Sequence, residues 1–387
     1  MSSHPQPVPE SAPAAAGTTY AAAGVDTAAG DRAVELMRAS VAATMTPAVV
    51  GEVGGFAGLV DVSALRDYRR PLLATSTDGV GTKVAIAQAL GVHDTIGQDL
   101  VGMVVDDIVV VGARPLLMTD YIACGRVVPE RIADIVRGVA TACAAVGTPL
   151  LGGETAEHPG LMEADEYDLA GAATGVVEAD RVLGPERVRP GDVLIALASS
   201  GLHSNGYSLV RRVIADAGWG LERQVPELGR TLGEELLEPT RLYTKACLAM
   251  IGALGSEAAP SPIHALSHVT GGGLAANLAR VLPAGTIADV DRSGWVIPPV
   301  FDLVRHLGSV PWEDLEGTLN LGVGMVAVVA PDSAEAVLRV AQGSEMSAWV
   351  LGGVHEAQVY EPQGRVVAGT KGVDGGAVDV FGRYRTA

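Results

Sequence analysis

Glycine gathers in six clusters along this chain: GGFAG (54–58), DGVGTK (78–83), GGET (152–155), SSGLHSNG (199–206), TGGG (270–273) and GVGM (322–325). Most stand where an apolar run gives way to a helix-like one. Glycine is required where backbone takes positive φ or passes close to a ligand. One such cluster reads equally well as a tight turn, but six so placed favour loops that cradle anions. The chain has 49 glycines in 387 residues, about 13% and roughly twice the usual share, against only three phenylalanines.

Between the clusters the pattern alternates apolar run, turn and helical stretch, which predicts mixed α/β structure in both halves. In the first half, strands are expected over Leu72–Thr77, Leu116–Ala123 and Leu169–Val177, and helices over Lys83–Leu90, Gln98–Val111 and Pro129–Val146. In the second half, strands are expected over Val193–Ala198, Ile263–Leu266, Val323–Val329 and Ala348–Val354. Helices there are expected over Tyr207–Ala217, Pro239–Leu254, Leu274–Val281, Val300–Leu307 and Ser333–Ala341. A single hydrophobic core stops growing near ~250–300 residues, so two domains are expected. The turn-rich GPERVRPG (184–191) marks their junction, with an N-terminal domain over 18–185 and a C-terminal domain over 186–368. Residues 1–17, rich in Ser, Pro and Ala, read as a disordered tail without the basic start and apolar core of a secretory signal. The Gly-rich residues 369–387 read as a frayed tail.

Subtracting 27 basic from 45 acidic residues leaves a formal charge of −18. That balance argues against a surface that tracks nucleic acid, which needs clustered Lys and Arg. No apolar run reaches the ~20 residues of a membrane span. The longest, Ile108–Met118, is broken by Gly112, Arg114 and Pro115. Cys124, Cys143 and Cys247 stand far apart with no CxxC pair. Neither a disulfide framework nor a zinc site is indicated, and a reducing, cytoplasmic compartment is expected.

Five segments carry the chemistry. In STDGVGTK (76–83), Asp78 follows an apolar strand and precedes Gly79, Gly81, Thr82 and Lys83. A carboxylate there is a hard ligand for Mg²⁺ and the glycine loop offers N–H donors to phosphate; a strand–turn–helix with an Asp cap is the alternative. No GxxxxGK[ST] run occurs, which removes a P-loop. Asp106 and Asp107 sit in the apolar helical stretch 103–116, where unpaired carboxylates cost free energy. A cation shared with Asp78 would satisfy them, as would capping or solvent, and since neighbours on a helix diverge by ~100°, only one faces a common site. GGETAEHPG (152–160) places Glu154 and Thr155 on a loop after the strand 149–151, where Glu154 binds a metal or an amine-bearing substrate, or caps the turn. SSGLHSNGYSLVRR (199–212) sets Ser199, Ser200, His203, Ser204 and Asn205 ahead of an amphipathic helix, an anion site or an N-cap. Finally, His264 and His268 precede Gly271, Gly272 and Gly273 at a helix start. His268 is placed to contact a phosphoryl group or move a proton near neutral pH, with packing as the alternative.

Taken in order, AGVD (23–26), GGFAG, TDGVGTK, DIVVVGARPL, TDY (119–121), LLGGETAEHPG, SSGLHSNGYSLVR, EPTRLY (238–243), HVTGGG and GVGM resemble the aminoimidazole ribonucleotide synthetases. These are the phosphoribosylformylglycinamidine cyclo-ligases of purine biosynthesis, and the resemblance runs from about Thr19 to Val367. It implies ring closure of formylglycinamidine ribonucleotide with ATP and Mg²⁺, releasing ADP and phosphate. It also implies a two-domain α/β fold whose N-terminal β-sheet pairs across a homodimer, with a C-terminal α/β layer and ATP near the dimer junction. Carried onto this chain, it matches Asp78 and Asp107 to acidic positions associated with metal and nucleotide phosphates and His268 to a histidine beside the active-site glycines; with the residue patterns, the expected set is catalytic His268, Lys83 and Asp107, and metal ligands Asp78, Asp106 and Asp107. Nucleotide and phosphate would meet Arg38, Gly54, Gly55, Gly79, Gly81, Thr82, Gly271, Gly272 and Gly273, and substrate would meet Glu154, Thr155, Ser204 and Asn205. Three positions depart from the family pattern: Asp106 where many relatives have Asn, Arg114 where Glu is common, and Arg38 where Lys often lies. Sister families fit less well. Selenophosphate synthetase needs a reactive Cys in an N-terminal loop, and thiamine monophosphate kinase shares the fold but not GGETAE or SSGLHSNGYSLVR.

Overall fold

The apolar runs become strands of two large sheets, seen in a computed structural model that describes residues 26–51, 54–255, 260–369 and 375–386. The expected tail at 1–17 lies outside the described residues. The first sheet holds β1 (Pro71–Gly79), β2 (Arg114–Cys124), β3 (Leu150–Glu157) and β4 (Tyr167–Glu178) in the spatial order β1-β4-β2-β3. β2 and β3 run parallel and the other two pairs antiparallel. Its helices are α1 (Thr27–Ala42), α2 (Val84–Leu90), α3 (Ile96–Val109) and α4 (Pro129–Val146). α4 coincides with its expected span because its ends are marked: Pro129 opens its first turn and Gly147 closes it in the left-handed region at φ 74°.

α3 packs on β1, β2 and β4, α4 packs on α3 and β3, and α1 lies on α4. Among the described residues no helix covers the opposite face of this sheet. Along β1, Leu73, Thr75 and Thr77 are exposed while Ala74 and Ser76 lean toward α3, the period of two that a one-sided sheet requires. Leu73 is 66% exposed and Tyr121 of β2 42%.

The second sheet comprises β5 (Val193–Ala198), β6 (Ile263–His268), β7 (Thr286–Asp291), β8 (Val323–Val329), β9 (Ala348–Glu356), β10 (Arg365–Ala368) and β11 (Ala377–Phe381). Their order is β6-β8-β5-β9-β7-β11-β10, antiparallel except for β7 with β11. Helices α5 (Tyr207–Asp216), α6 (Thr244–Leu254), α7 (Gly273–Arg280), α8 (Pro299–Gly308) and α9 (Ala334–Gly343) cover both faces. Ile195 and Leu197 of β5 join Cys247 and Met250 of α6 and Val337 and Ala341 of α9. Their neighbours Leu194 and Ala196 join Val210 of α5 and Phe301 of α8 in the other core. A strand buried on both faces reads as an unbroken apolar run, which is why VLIALA was legible. Val109 at the end of α3 belongs to the same cluster as Ile195, so the two domains share core.

Four expectations are corrected. GGETAE is not a loop: parallel pairing with β2 carries β3 through Glu157. The segment 375–386 is not a frayed tail: β11 lies inside the second sheet with Val378, Asp379 and Val380 buried. Asp379 holds it there by accepting from the N–H groups of Gln363 (2.7 Å) and Gly364 (2.9 Å) and from the Tyr360 hydroxyl (3.0 Å). The C-terminal domain therefore runs past residue 368. The helix expected from Pro239 begins only at Thr244, because residues 238–243 are held along α3 without regular structure.

Candidate active site

One row of residues crosses the first sheet. Asp78 on β1 stands opposite Gly171 on β4, which stands opposite Asp120 on β2, which stands opposite Gly153 on β3. Residues in register share a face, so both carboxylates of the row lie on the side that the helices cover. At the β1 end, α3 brings Asp107 close to Asp78. Burial and then the Asp107 charge raise the Asp78 pKa, while Asp78 Oδ1 accepts from the Gly79 N–H at 2.7 Å. His268 closes β6 with its Nδ1 2.9 Å from Asp107 Oδ1. Its Nε2 is buried with no hydrogen-bond partner among the described residues. Burial opposes the imidazolium, yet the Asp107 hydrogen bond and the charges of Asp106, Asp107 and Asp78 outweigh it and raise the His268 pKa. The edge of Tyr243 lies beside the imidazole, ring centroids 6.3 Å apart. His264, at the other end of the strand, instead meets Asp192 at 2.7 Å, away from this cleft.

Two expected ligands turn elsewhere. Asp106 is fully buried on the side of α3 away from Asp107, where both its oxygens accept from the Tyr243 N–H (3.1 and 3.0 Å) and Oδ1 also accepts from Thr244 Oγ1 (2.7 Å). It caps α6, and its oxygens are occupied by the start of that helix rather than turned to Asp78. Lys83 is likewise fully buried and donates to Asp99 Oδ1 (2.8 Å), His203 O (3.1 Å) and Glu238 O (2.6 Å). An ammonium has three N–H donors, and protein oxygens take all of them, so Lys83 presents none to a phosphate. Among the described residues no three His, Cys, Asp or Glu side chains form a metal cage. The partly open pair Asp78 and Asp107 remains, and it suits Mg²⁺, which binds through one or two carboxylates together with substrate phosphates.

The loop 199–206 faces this pair from the second domain. His203 sits at φ 62°, strained for a residue with a side chain. Ser199 Oγ and Ser204 Oγ are buried without partners among the described residues, and Asn205 Nδ2 meets only the sulfur of Met103, 3.6 Å away. Gly271 lies against Asn205, and a side chain there would begin 3.4 Å from Asn205 Oδ1. Gly273, at φ 72° and opening α7, is irreplaceable, since a Cβ would fall 1.8 Å from the Glu316 carbonyl oxygen. Thr82, past Gly79 and Gly81, reaches Ser208 of α5 at 3.2 Å.

At the far end of the row lies a second region. Gly54, Gly55, Glu154 and Thr155 line a cavity of about 740 Å³ between α1 and the β3 edge, together with Met37 and Asp120. Arg38 lines an adjoining hollow of about 260 Å³ that shares Gly58 and Leu151 with it. Glu154 turns its Oε1 to the Thr155 N–H at 2.9 Å. Asp120 is the functional candidate that the residue patterns left unassigned. Its Oδ2 is buried and unpartnered among the described residues, and burial lifts its pKa from 3.8 to about 7. Its Oδ1 leans over Gly153, where a Cβ would fall 1.6 Å away. The signal was a carboxylate inside the apolar strand LLMTDYIAC. The expected site thus divides within one chain between two sheet edges three strand spacings apart, roughly 14 Å.

The family model described as AIR synthase related protein, N-terminal domain, matches residues 60–177, and its C-terminal counterpart matches residues 189–364. A phosphoribosylformylglycinamidine cyclo-ligase of Geobacillus thermodenitrificans is 47% identical over 338 residues, 87% of this chain and 95% of that protein. One of Shouchella clausii is 46% identical over 353 residues, 90% of this chain and 98% of that protein. Among solved structures, a thiamine-monophosphate kinase from Stenotrophomonas maltophilia superposes with a TM-score of 0.61 at 18% identity, covering 90% of this chain and 96% of that one. The hydrogenase maturation protein HypE in complex with ATP superposes with a TM-score of 0.59 at 18% identity, covering 91% of each. These two likenesses carry the fold alone. The two matched domains and the long alignments together place this chain in the AIR synthase family.

Proposed function

We propose that this chain is an ATP-dependent phosphoribosylformylglycinamidine cyclo-ligase, closing the ring of formylglycinamidine ribonucleotide to 5-aminoimidazole ribonucleotide with release of ADP and phosphate. The observation that carries the reading from the geometry is the Asp107–His268 pair, whose free Nε2 lies buried between a carboxylate pair and a glycine-opened helix. Phosphorylation of the formyl oxygen makes it a leaving group and its carbon an electrophile, which the amidine-side nitrogen attacks. Such chemistry asks the protein for positioning and charge neutralisation more than for a covalent nucleophile. Asp107 orients His268, and Nε2 donates to oxygen as charge develops there. The backbone of Gly271, Gly272 and Gly273 at the start of α7 supports phosphate oxygens. Ser204 and Asn205 supply further donors to the substrate. Asp78 and Asp107 would hold Mg²⁺, which supplies neutralisation of phosphate charge when bound.

The same reading seats the nucleotide at the β3 edge, along Gly54, Gly55, Glu154 and Thr155. A protonated carboxyl offers one donor and one acceptor, which complements the amino group and ring nitrogen of adenine, and Asp120 lines the cavity. A homodimer belongs to it too: the bare face bearing Leu73 and Tyr121 supports pairing of two such sheets, which would bring one chain's β3 edge toward the other's cleft. A cytoplasmic location accords with three buried, unpaired cysteines. The test is direct. Purified protein with Mg²⁺, ATP and formylglycinamidine ribonucleotide should form aminoimidazole ribonucleotide and ADP in equal amounts; ADP released equally fast without that substrate would refute the reading.

A further inference from the structure

Lys83 is the most unusual buried group that this chemistry leaves unused. The chain contains only three lysines, Lys83, Lys245 and Lys371, and this one has no exposed surface. Its ammonium joins three parts of the molecule. Asp99 belongs to α3 of the first domain, His203 to the loop 199–206, and Glu238 to the segment 238–243. Asp99 Oδ1 accepts in turn from the N–H (2.8 Å) and hydroxyl (2.6 Å) of Thr240, and Gln98 Nε2 donates to the Thr240 carbonyl at 2.8 Å. One helical turn and more along the same stripe, Met103 touches Asn205 and Asp106 caps α6. Elsewhere the loop is tied by Ser200 Oγ donating to Pro239 O at 2.6 Å, Asn320 Nδ2 to Gly201 O at 2.9 Å and the Ser199 N–H to Gly322 O at 3.0 Å, and the Ser200 N–H donates to the His203 ring at 3.2 Å.

The bond to the His203 carbonyl is the one that bears on chemistry. His203 occupies a left-handed conformation at φ 62° that its side chain disfavours, so its surroundings must hold it there. The next two residues are Ser204, with a buried unpartnered hydroxyl, and Asn205, with spare donors. Fixing the 203 carbonyl therefore sets the direction in which both side chains leave the backbone.

We propose that Lys83 is a positioning residue: its ammonium, held by Asp99, pins the His203 carbonyl and so aims Ser204 and Asn205 at the oxygen-rich ribonucleotide substrate, while making no contact with ATP phosphate. The proposal rests on the cyclo-ligase reading above. A phosphate-binding lysine keeps at least one N–H for the ligand; here all three are taken by protein oxygens.

Two experiments test it. Acetylation of native protein with an amine-reactive reagent, read by mass spectrometry, should leave Lys83 unmodified with or without ATP. Ready labelling that ATP suppresses would overturn the proposal. Because Lys83→Met alone strands the Asp99 carboxylate and can cost folding, the kinetic arm also uses Lys83→Met/Asp99→Asn, which keeps an acceptor for Thr240. In the folded variant, KM for formylglycinamidine ribonucleotide should rise at least tenfold while the Kd for ATP stays within twofold of native. A lost ATP affinity, or an unchanged substrate KM, would overturn it. Native protein that fails to turn over at all would instead refute the cyclo-ligase reading, so the two failures are distinct.

Discussion

The two sheets of this protein are built to opposite plans. The seven-stranded sheet is covered on both faces and reads as Val-, Ile- and Ala-rich runs, with every residue of β8 buried. The four-stranded sheet is covered on one face only and carries polar residues and glycine through its middle, including Asp78, Asp120, Gly153 and Gly171. A doubly covered sheet has nothing left to offer a ligand except its strand ends, and His268 stands at one of them. The singly covered sheet carries its carboxylates, Asp78 and Asp120, on the side of the helices and leaves an apolar surface unsatisfied on the other. The first domain thus supplies the charged groups, the second supplies the rigid edge that His268 and the glycine run occupy, and the shared stripe of α3 fixes one against the other.

The largest effect should come from the strand end. His268→Asn is expected to lower turnover by ~10²–10⁴-fold, the usual contribution of a positioned acid–base group, while ATP affinity and melting temperature stay near native. Near-normal turnover would remove the second sheet from the chemistry. His264→Asn, tied to Asp192 outside the cleft, should be mild by the same assay.

Next come the faces themselves. Ile195→Ala in the covered sheet should cost ~2–5 kcal/mol in denaturant unfolding, as buried aliphatic truncations do. Leu73→Glu on the bare face should leave a folded chain but halve the particle mass measured by light scattering. An unchanged mass would show that the bare face is not where two copies meet.

Asp120 sharpens the contrast through pH. Its native pKa is raised from 3.8 to about 7 by burial. Between those values the native state therefore binds more protons at this group than the unfolded chain does. The linkage slope is then negative, so this group's contribution to stability falls as pH rises through that window, by up to about 1.4 kcal/mol per pH unit, and levels off above it. Asp120→Asn should remove that component of the slope. Melting curves from pH 4 to 8 that superpose in shape for the two proteins would place the carboxyl in contact with water.

The smallest effect separates neighbours on one helix. Asp106→Ala removes the cap of α6 and should cost about 1–2 kcal/mol of stability, whereas Asp106→Asn keeps an acceptor and should be mild. Asp107→Asn should instead raise the Mg²⁺ requirement and depress turnover at unchanged melting temperature. Equal losses of stability in the Asp106→Ala and Asp107→Asn variants would mean that both are structural.

Much of this was legible beforehand. Helix Pro129–Val146 and strands Val193–Ala198 and Val323–Val329 matched to the residue, because each has marked ends or an unbroken apolar run. β3 and β11 were not legible, since GGETAE and AVDVF lack periodicity of their own and become strands only through partners distant in sequence. Among the residues named from local patterns, Asp78, Asp107 and His268 lie together, as do Asn205 and Gly271. Lys83 and Asp106 were named from the same kind of pattern and turn inward.

The sequence alone therefore determined which segments have regular structure, where glycine is obligatory, and which family the ordered motifs resemble, because periodicity and turn chemistry are written in adjacent residues. Only the tertiary structure decided which of two adjacent aspartates meets the histidine, that a lysine in a phosphate-like motif is enclosed by protein oxygens, and that Asp120 is buried without a partner. Each of those outcomes depends on what a helix or strand is packed against: for the aspartates of α3 and the lysine that is set by residues more than a hundred positions away, and for Asp120 by the neighbouring strands.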